Sequence, residues 1–227
     1  MNVSVIIPIF NENNTIQEII KRVQAQNIAS EILLIDDGST DGTRELLNQM
    51  ESNGRIKVIL HETNQGKGAA IRTGLKHSTG DIILIQDADL EYDPRDYPIL
   101  LKPLEEGLAD VVYGSRFLGG PRRTAMFWHM VANKILTLMT NVLYNTILSD
   151  METGYKVFRR EVIKDIQLNA KRFEFEPEFT AKILKQGFRI YEVPITFNPR
   201  DYNEGKKIGI KDAVEAVWAL LKYRFID

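Results

Sequence analysis

Apolar residues fall in short runs and in helical spacing, and the two patterns alternate through the first half of the chain. Val3–Pro8 is apolar and β-branched and reads as a buried strand; with no basic segment before it and so short a run, it is expected to be a first strand and not a signal peptide. Asn11-Glu12-Asn13-Asn14 is a loop, and Thr15–Gln26 has the spacing of an amphipathic helix. A second strand over Glu31–Ile35 ends in Asp36-Asp37-Gly38-Ser39, with Asp41 or Thr43 placed to cap a helix reaching about Glu51. Ile56–Leu60 is a third strand, followed by the turn Asn64-Gln65-Gly66-Lys67-Gly68 and a helix over Ala69–His77. Asp81–Gln86 is a strand leading into Asp87-Ala88-Asp89; Pro94–Glu106 is partly helical and Val111–Tyr113 is a short strand.

The second half is patterned differently. After Gly114-Ser115-Arg116 comes a glycine-bearing loop and a long apolar helix over 124–147. Asp150–Arg160 is a loop and a strand, Glu178–Gln186 a helix, and Arg189–Phe197 a strand. Arg200–Gly209 is a polar, basic loop, and Ile210–Phe225 is helical. The longest apolar stretch, Thr124–Leu148, is broken by His129, Asn133, Lys134 and Asn141, so it is expected to be amphipathic or buried and not a membrane span.

Strand–helix alternation predicts an α/β fold, a mostly parallel central sheet flanked by helices, with a helical C-terminal portion. In such sheets ligands bind beyond the carboxyl ends of the strands. Asn11-Glu12, Asp36-Asp37 and Asp87-Ala88-Asp89 all fall at those ends. Asp87 and Asp89 are two apart, so an extended chain turns both to one side. Like charges held that close need a compensating cation, and a hard divalent ion carrying phosphate supplies one. A wet surface loop would explain the same pair, so its neighbours decide.

Each neighbour has two readings. Asp37 can accept from the ribose or base of a nucleotide, or it can simply stabilise a turn. The Asn64–Gly68 turn lacks Walker A spacing and can serve only close backbone approach, although Lys67 can face a diphosphate. Arg116, Arg200 and Lys206 are candidate anion clamps or solvated surface residues, and the last two share one loop. His61, His77 and His129 have no metal-ligand spacing and read as structural or solvated.

A net charge of −2 gives no basic field, so nucleic acid is not an expected partner. The absence of cysteine excludes disulfides and thiolate sites and fits a cytoplasmic location. No G-x-G-x-x-G follows the first strand, which argues against a Rossmann oxidoreductase.

In order and spacing, Val5–Glu12, Asp36–Thr43, Asn64–Gly68, Asp87-Ala88-Asp89 and Gly114-Ser115-Arg116 resemble the family 2 glycosyltransferases of GT-A fold. Asp150–Arg160 and Val193–Phe197, with Arg200 and Lys206, resemble the dolichyl-phosphate mannose synthase-like branch, and the likeness covers nearly the whole chain. It implies one GT-A domain over 1–227, with 1–116 binding the nucleotide sugar and 117–227 the acceptor. Pro8, Phe10 and Glu12 would line the nucleotide pocket, Phe10 standing where Tyr is frequent. Ile35 and Asp37 would hold base and ribose. Asp87 and Asp89, flanking Ala88, would bind Mg²⁺ or Mn²⁺, with Glu91 as an additional acid at the metal. Lys67, Arg116, Arg200 and Lys206 would meet diphosphate or acceptor phosphate, and Asp150 would lie on the acceptor side. Asp89, Arg116 and Asp150 are the implied catalytic residues.

The expected reaction is metal-dependent, inverting transfer of a sugar from a GDP-mannose or UDP-glucose type donor to a polyprenyl or dolichyl phosphate. A soluble or polysaccharide hydroxyl acceptor is the alternative and would need a base such as Asp150 or Glu152; a non-catalytic nucleotide-sugar binding module is a further one. Membrane contact would be peripheral, at the cytoplasmic face, through amphipathic surfaces such as 124–147 and 210–225.

Overall fold

The computed structural model describes residues 1–50, 54–124, 127–200 and 210–226, so Lys206 lies outside the described residues. Strands β1 (Val3–Ile9), β2 (Ala29–Asp36), β3 (Ile56–Leu60), β4 (Ile82–Ile85), β5 (Val111–Ser115), β6 (Lys156–Arg159) and β7 (Ile190–Pro194) form one sheet. Their spatial order is β3-β2-β1-β4-β6-β5-β7. Helices α1 (Ile16–Ala25), α2 (Thr43–Gln49), α3 (Lys67–His77), α4 (Tyr97–Glu105), α5 (Phe127–Tyr144), α6 (Phe175–Lys185) and α7 (Ile210–Phe225) cover its two faces.

The near-continuous apolar runs of β1, β2 and β4 are those of strands buried on both sides. Alternate residues feed opposite cores. Val5, Ile7, Leu34 and Leu84 pack with Ile16, Ile19 and Val23 of α1 and with Leu100 and Leu104 of α4. Ile6, Leu33, Ile35 and Ile83 face the other way, against Ala70 and Ile71 of α3 and Phe175 and Phe179 of α6. Ile9 pairs with Asp36, and Ile6 pairs with Ile85, so the segments after β1, β2 and β4 emerge along one edge.

β6 runs antiparallel to both of its neighbours, β4 and β5, where β5 and β7 are parallel. Periodicity carries no strand direction, so this was beyond the sequence pattern. The reversal has a functional consequence: a strand running backwards begins at the edge where the others end. It therefore delivers Asp150–Tyr155 to that edge.

Two helix starts differ from expectation. Neither Asp41 nor Thr43 is the N-cap of α2; Gly42 is, at φ 95°, while Asp41 Oδ1 accepts from the Thr43 amide at 3.1 Å. The glycine takes a left-handed conformation that other residues resist. α6 begins at Phe175 rather than Glu178, because Pro177 sits in the first turn, where no intrahelical donor is lost.

Glu31 fastens the amino ends of the strands. Ser4 Oγ, Lys57 Nζ (2.7 Å) and both the amide and hydroxyl of Thr79 donate to its carboxylate. Burial opposes ionisation, but these donors prevail and hold its pKa down at about 2. A folded-state pKa below the ordinary 4.5 contributes stability above pH 4.5 that is lost as pH falls toward 2. Glu31→Gln should therefore cost about 1–3 kcal/mol at pH 7. In urea unfolding, the gap between wild type and variant should shrink from pH 7 to pH 3; a gap independent of pH would refute the ionic origin.

Candidate functional site

A cleft of about 350 Å³ opens at the carboxyl edge of the sheet. Pro8, Phe10 and Glu12 line it from the end of β1, Asp37 from β2, and Asp87, Ala88, Asp89 and Glu91 from β4. The second half of the chain contributes Arg116, Glu152, Gly154, Arg172, Phe173, Glu176 and Arg200. Ile35 is not among the lining residues. It points from β2 into the core on the α3 side and is fully buried.

The acid cluster is held together by two cations from distant parts of the chain. Lys67 Nζ lies 2.8 Å from Asp87 Oδ1 and 3.2 Å from Glu176 Oε1. Arg200 donates from Nη2 to Asp89 at 2.9 Å and from Nη1 to Glu12 at 3.2 Å. Its backbone amide donates to Glu91 Oε1 at 2.8 Å. Glu91 is thus a clasp on the Arg200 backbone. The Glu91 amide in turn reaches Asp89 Oδ1 at 3.1 Å, across a turn in which Leu90 takes φ 63°. A bulky residue in that region is a strained one, and such strain is tolerated where a site fixes it.

Burial raises the Asp89 pKa to about 7, reinforced by Asp87 and Glu91 and opposed by Arg200. Burial works against charge on Lys67, yet Asp87 and Glu176 hold its pKa above the ordinary value. The seat is thus short of positive charge even with Arg200 in it. Among the described residues no three acids or histidines converge in metal-ligating geometry. Magnesium-type sites need no such cage, since one or two carboxylates plus substrate phosphates suffice. Asp87 and Asp89 fit that requirement.

Asp37, which lines the cleft, also has partners within the protein. Oδ1 accepts from the Gln65 amide at 2.9 Å and lies 2.7 Å from His61 Nδ1; Oδ2 accepts from the Gly66 amide at 2.7 Å. Its oxygens organise the Asn64–Gly66 turn, and His61, bonded also to Thr73 at 2.9 Å, is structural as expected. The turn serves backbone approach: a Cβ on Gly66 would stand 2.3 Å from the Lys171 carbonyl oxygen. That approach places Arg172 and Phe173 in the cleft and starts α3 with Lys67 at its first turn.

Arg116 and Asp150 form a buried bidentate pair, with Nε and Nη2 each 2.7 Å from the carboxylate and the Arg116 amide at 3.0 Å. Asn133 of α5 lies against the pair, its side-chain amide 3.3 Å from Asp150 Oδ1, and with its nitrogen turned toward that oxygen it bridges Asp150 and Arg116. Burial opposes ionisation of Asp150, but Arg116 holds it below the ordinary range. Glu192 of β7 supports the pair by accepting from the Ser149 amide at 2.8 Å and the Asp150 amide at 3.1 Å. With both oxygens engaged by a cation, Asp150 is a poor base. Glu152 is the opposite case: burial raises its pKa and Glu176 adds to the shift.

Glu176, Arg172, Phe173 and Tyr92 were not singled out from sequence. Glu176 carried one signal, an acid set between Phe175 and Phe179 on a helix buried from Phe175 to Ile183. Gly154 is buried against the site, and a Cβ there would lie 2.3 Å from Asp87 Oδ2.

A polyprenol monophosphomannose synthase of Mycolicibacterium smegmatis is 33% identical over 214 residues, covering 90% of this chain and 80% of the relative. A dolichol-phosphate mannosyltransferase of Pyrococcus furiosus is 30% identical over 98% of this chain, which spans 64% of that protein's length. Glucosyl-3-phosphoglycerate synthase of Mycobacterium tuberculosis, crystallised with Mn²⁺, UDP and glucosyl-3-phosphoglycerate, shares the fold with a TM-score of 0.76. That likeness has 22% identity and covers 100% of this chain and 81% of the other. The family described as glycosyl transferase family 2 matches residues 4–167, and the chain accordingly belongs to it, as a glycosyltransferase of GT-A fold.

Proposed function

We propose that the chain transfers a hexose from a nucleotide diphosphate sugar to a polyprenyl phosphate, with inversion at the anomeric carbon. The observation that carries the donor half is the convergence of Asp87, Asp89, Lys67 and Arg200 at one cleft mouth beyond β1 and β4. Names of the relatives, a polyprenol monophosphomannose synthase and a dolichol-phosphate mannosyltransferase, support the acceptor half.

Pro8, Phe10 and Glu12 form the nucleotide side of the cleft, and Asp37 acts there by fixing the turn that carries Lys67. Asp87 and Asp89 would hold Mg²⁺ or Mn²⁺, with Ala88 between them. Such an ion supplies positive charge to the diphosphate as it leaves. Lys67 and Arg200 are the chain's own cations at that point, and Lys206 follows Arg200 on the same segment. An acceptor phosphate oxygen forms the new bond to the anomeric carbon while the bond to the diphosphate breaks, and the electron pair departs on the diphosphate. A phosphate oxygen is already ionised at neutral pH, so no base is required. That accords with an Asp150 committed to Arg116, which leaves Arg116 as an oriented cation for the acceptor phosphate.

A lipid acceptor also accounts for the surface of residues 117–227, the acceptor side of the domain. On α5, Trp128, Ile135, Leu138 and Val142 are exposed and share one face; on α7, Val214, Trp218, Leu221 and Phe225 do the same. Among the described residues no helix is long and apolar enough to cross a membrane. These stripes suit peripheral contact with a bilayer, with tryptophans at the boundary.

A nucleotide sugar at a hundredfold its Kd should stabilise the protein by about 2.7 kcal/mol. A thermal-shift screen of UDP- and GDP-sugars with and without Mn²⁺ checks this, and no shift with any of them would refute the donor assignment. Asp89→Asn should lower kcat by about 10²–10³-fold while keeping or raising the melting temperature, since it removes a like charge. Labelled sugar should pass to polyprenyl phosphate; full transfer to a short water-soluble hydroxyl acceptor, with none to the lipid, would refute the acceptor. Leu138→Glu with Trp218→Glu should reduce co-sedimentation with anionic vesicles and leave nucleotide binding intact.

A further inference from the structure

Arg200 reaches the acid cluster on a backbone that is fastened at several points. The Thr196 amide donates to Asp96 Oδ2 at 2.7 Å, the Asn198 amide to the Glu91 carbonyl at 2.9 Å, and the Arg200 amide to Glu91 Oε1 at 2.8 Å. Between these ties the ring of Phe197 packs on that of Tyr92, their centroids 5.5 Å apart. All of these partners lie on the segment that follows the acid pair, so the chain carrying Arg200 is sewn to the chain carrying Asp89. What can move with the backbone held is the side chain, and arginine has many rotamers.

Its guanidinium bridges two carboxylates. Nη2 donates to Asp89 Oδ2 at 2.9 Å, and Nη1 to both oxygens of Glu12 at 3.2 Å. The Glu91 amide holds Asp89 Oδ1 at 3.1 Å, so each oxygen of Asp89 has a protein donor. Both partners line the cleft, and the side chains of Arg200 and Asp89 keep 19% and 17% of their surface exposed. Their contact is therefore within reach of an incoming ligand.

A carboxylate has lone pairs for several partners, but a divalent ion and a guanidinium on one carboxylate repel each other. Asp89 can admit a bare ion only as Arg200 withdraws, and the bare ion gives the guanidinium no new anion. A diphosphate accompanying the ion changes the balance. Its oxygens are anionic acceptors that a planar guanidinium binds well. Arg200 can turn from Asp89 to them while Glu91 still clasps its backbone.

Resting on the donor assignment proposed above, we infer that Arg200, held on Asp89 with the help of Glu12, makes the acid pair selective for a divalent cation that arrives with a diphosphate over the bare cation. The guanidinium is the counter-charge of Asp89 in the free protein and of the diphosphate in the loaded one. Arg200 thereby couples the two ligands, and such coupling is reciprocal.

The test compares wild type, Arg200→Gln and Arg200→Lys at pH 8. Bare Mn²⁺ binding is followed through the paramagnetic resonance of the free ion, and UDP and GDP binding by calorimetry in Mn²⁺ or in EDTA. Arg200→Gln should bind bare Mn²⁺ about tenfold more tightly than wild type, and the factor by which Mn²⁺ strengthens nucleoside diphosphate binding should fall about tenfold. Arg200→Lys keeps the charge but loses the fork that spans Asp89 and Glu12, so it should still bind bare Mn²⁺ about threefold more tightly than wild type. Arg200→Gln leaves its acids without their cation, and Mn²⁺ should raise its melting temperature more than that of wild type, a readout that holds even if the variant is less stable. Unchanged or weaker binding of bare Mn²⁺ by Arg200→Gln would overturn the role of Arg200. So would Arg200→Lys matching wild type while Arg200→Gln tightens, the signature of charge acting at a distance. Either result leaves the nucleotide-sugar reading intact provided that wild type binds UDP or GDP in Mn²⁺. Failure of wild type to bind either nucleotide would overturn both.

Discussion

Like-charge repulsion at the carboxyl edge of the sheet is the constraint on which the site depends. Glu12, Asp87, Asp89 and Glu91 are brought to one place because β1 and β4 are parallel neighbours whose following segments emerge along one edge. Carboxylates at that density, away from water, cannot all remain ionised without cations. Lys67 and Arg200 answer that demand from segments 20 residues before and 111 residues after the acids they pair with. The surrounding fold can be understood as the means of delivering those two cations. Asp37 shapes the turn that starts α3 with Lys67, and Glu91 grips the Arg200 backbone.

The antiparallel strand β6 performs the complementary task. A purely parallel sheet would bring only strand-following loops to the edge. By reversing direction, β6 brings a strand-preceding loop there, with Asp150, Glu152 and Gly154. Asp150 then orients Arg116 from the end of β5, and Gly154 lets the loop approach Asp87 closely. One reversed strand thus joins the acid cluster of Asp87 and Asp89 to the Arg116 side of the cleft.

Several residues whose position was legible in the sequence have protein partners that it did not reveal. Asp37 is at the edge, but its oxygens are spent on backbone amides and on His61. Glu91 stands beside the acid pair and holds a chain segment. The Gly66 turn is about steric approach, since the nearest atoms to an added Cβ are backbone atoms of Lys171. In each case residue type and strand-end position were readable, whereas the partner was not. A carboxylate accepts from a ribose and from an amide alike, and only coordinates show which donor has arrived.

By itself the sequence determined the alternation of strands and helices, the strand ends on which acids and glycines fall, and the ordered motifs that identify the family. These are local or nearly local properties: side-chain period, turn chemistry and spacing along one chain. Tertiary structure alone decided the direction of β6, the burial of Ile35 away from the cleft, and the pairing of Lys67 with both Asp87 and Glu176. It also decided that Glu176, from a helix late in the chain, shares Lys67 with Asp87. Those outcomes depend on contacts between segments tens of residues apart, where electrostatics and packing act through space and leave no period in the sequence to read.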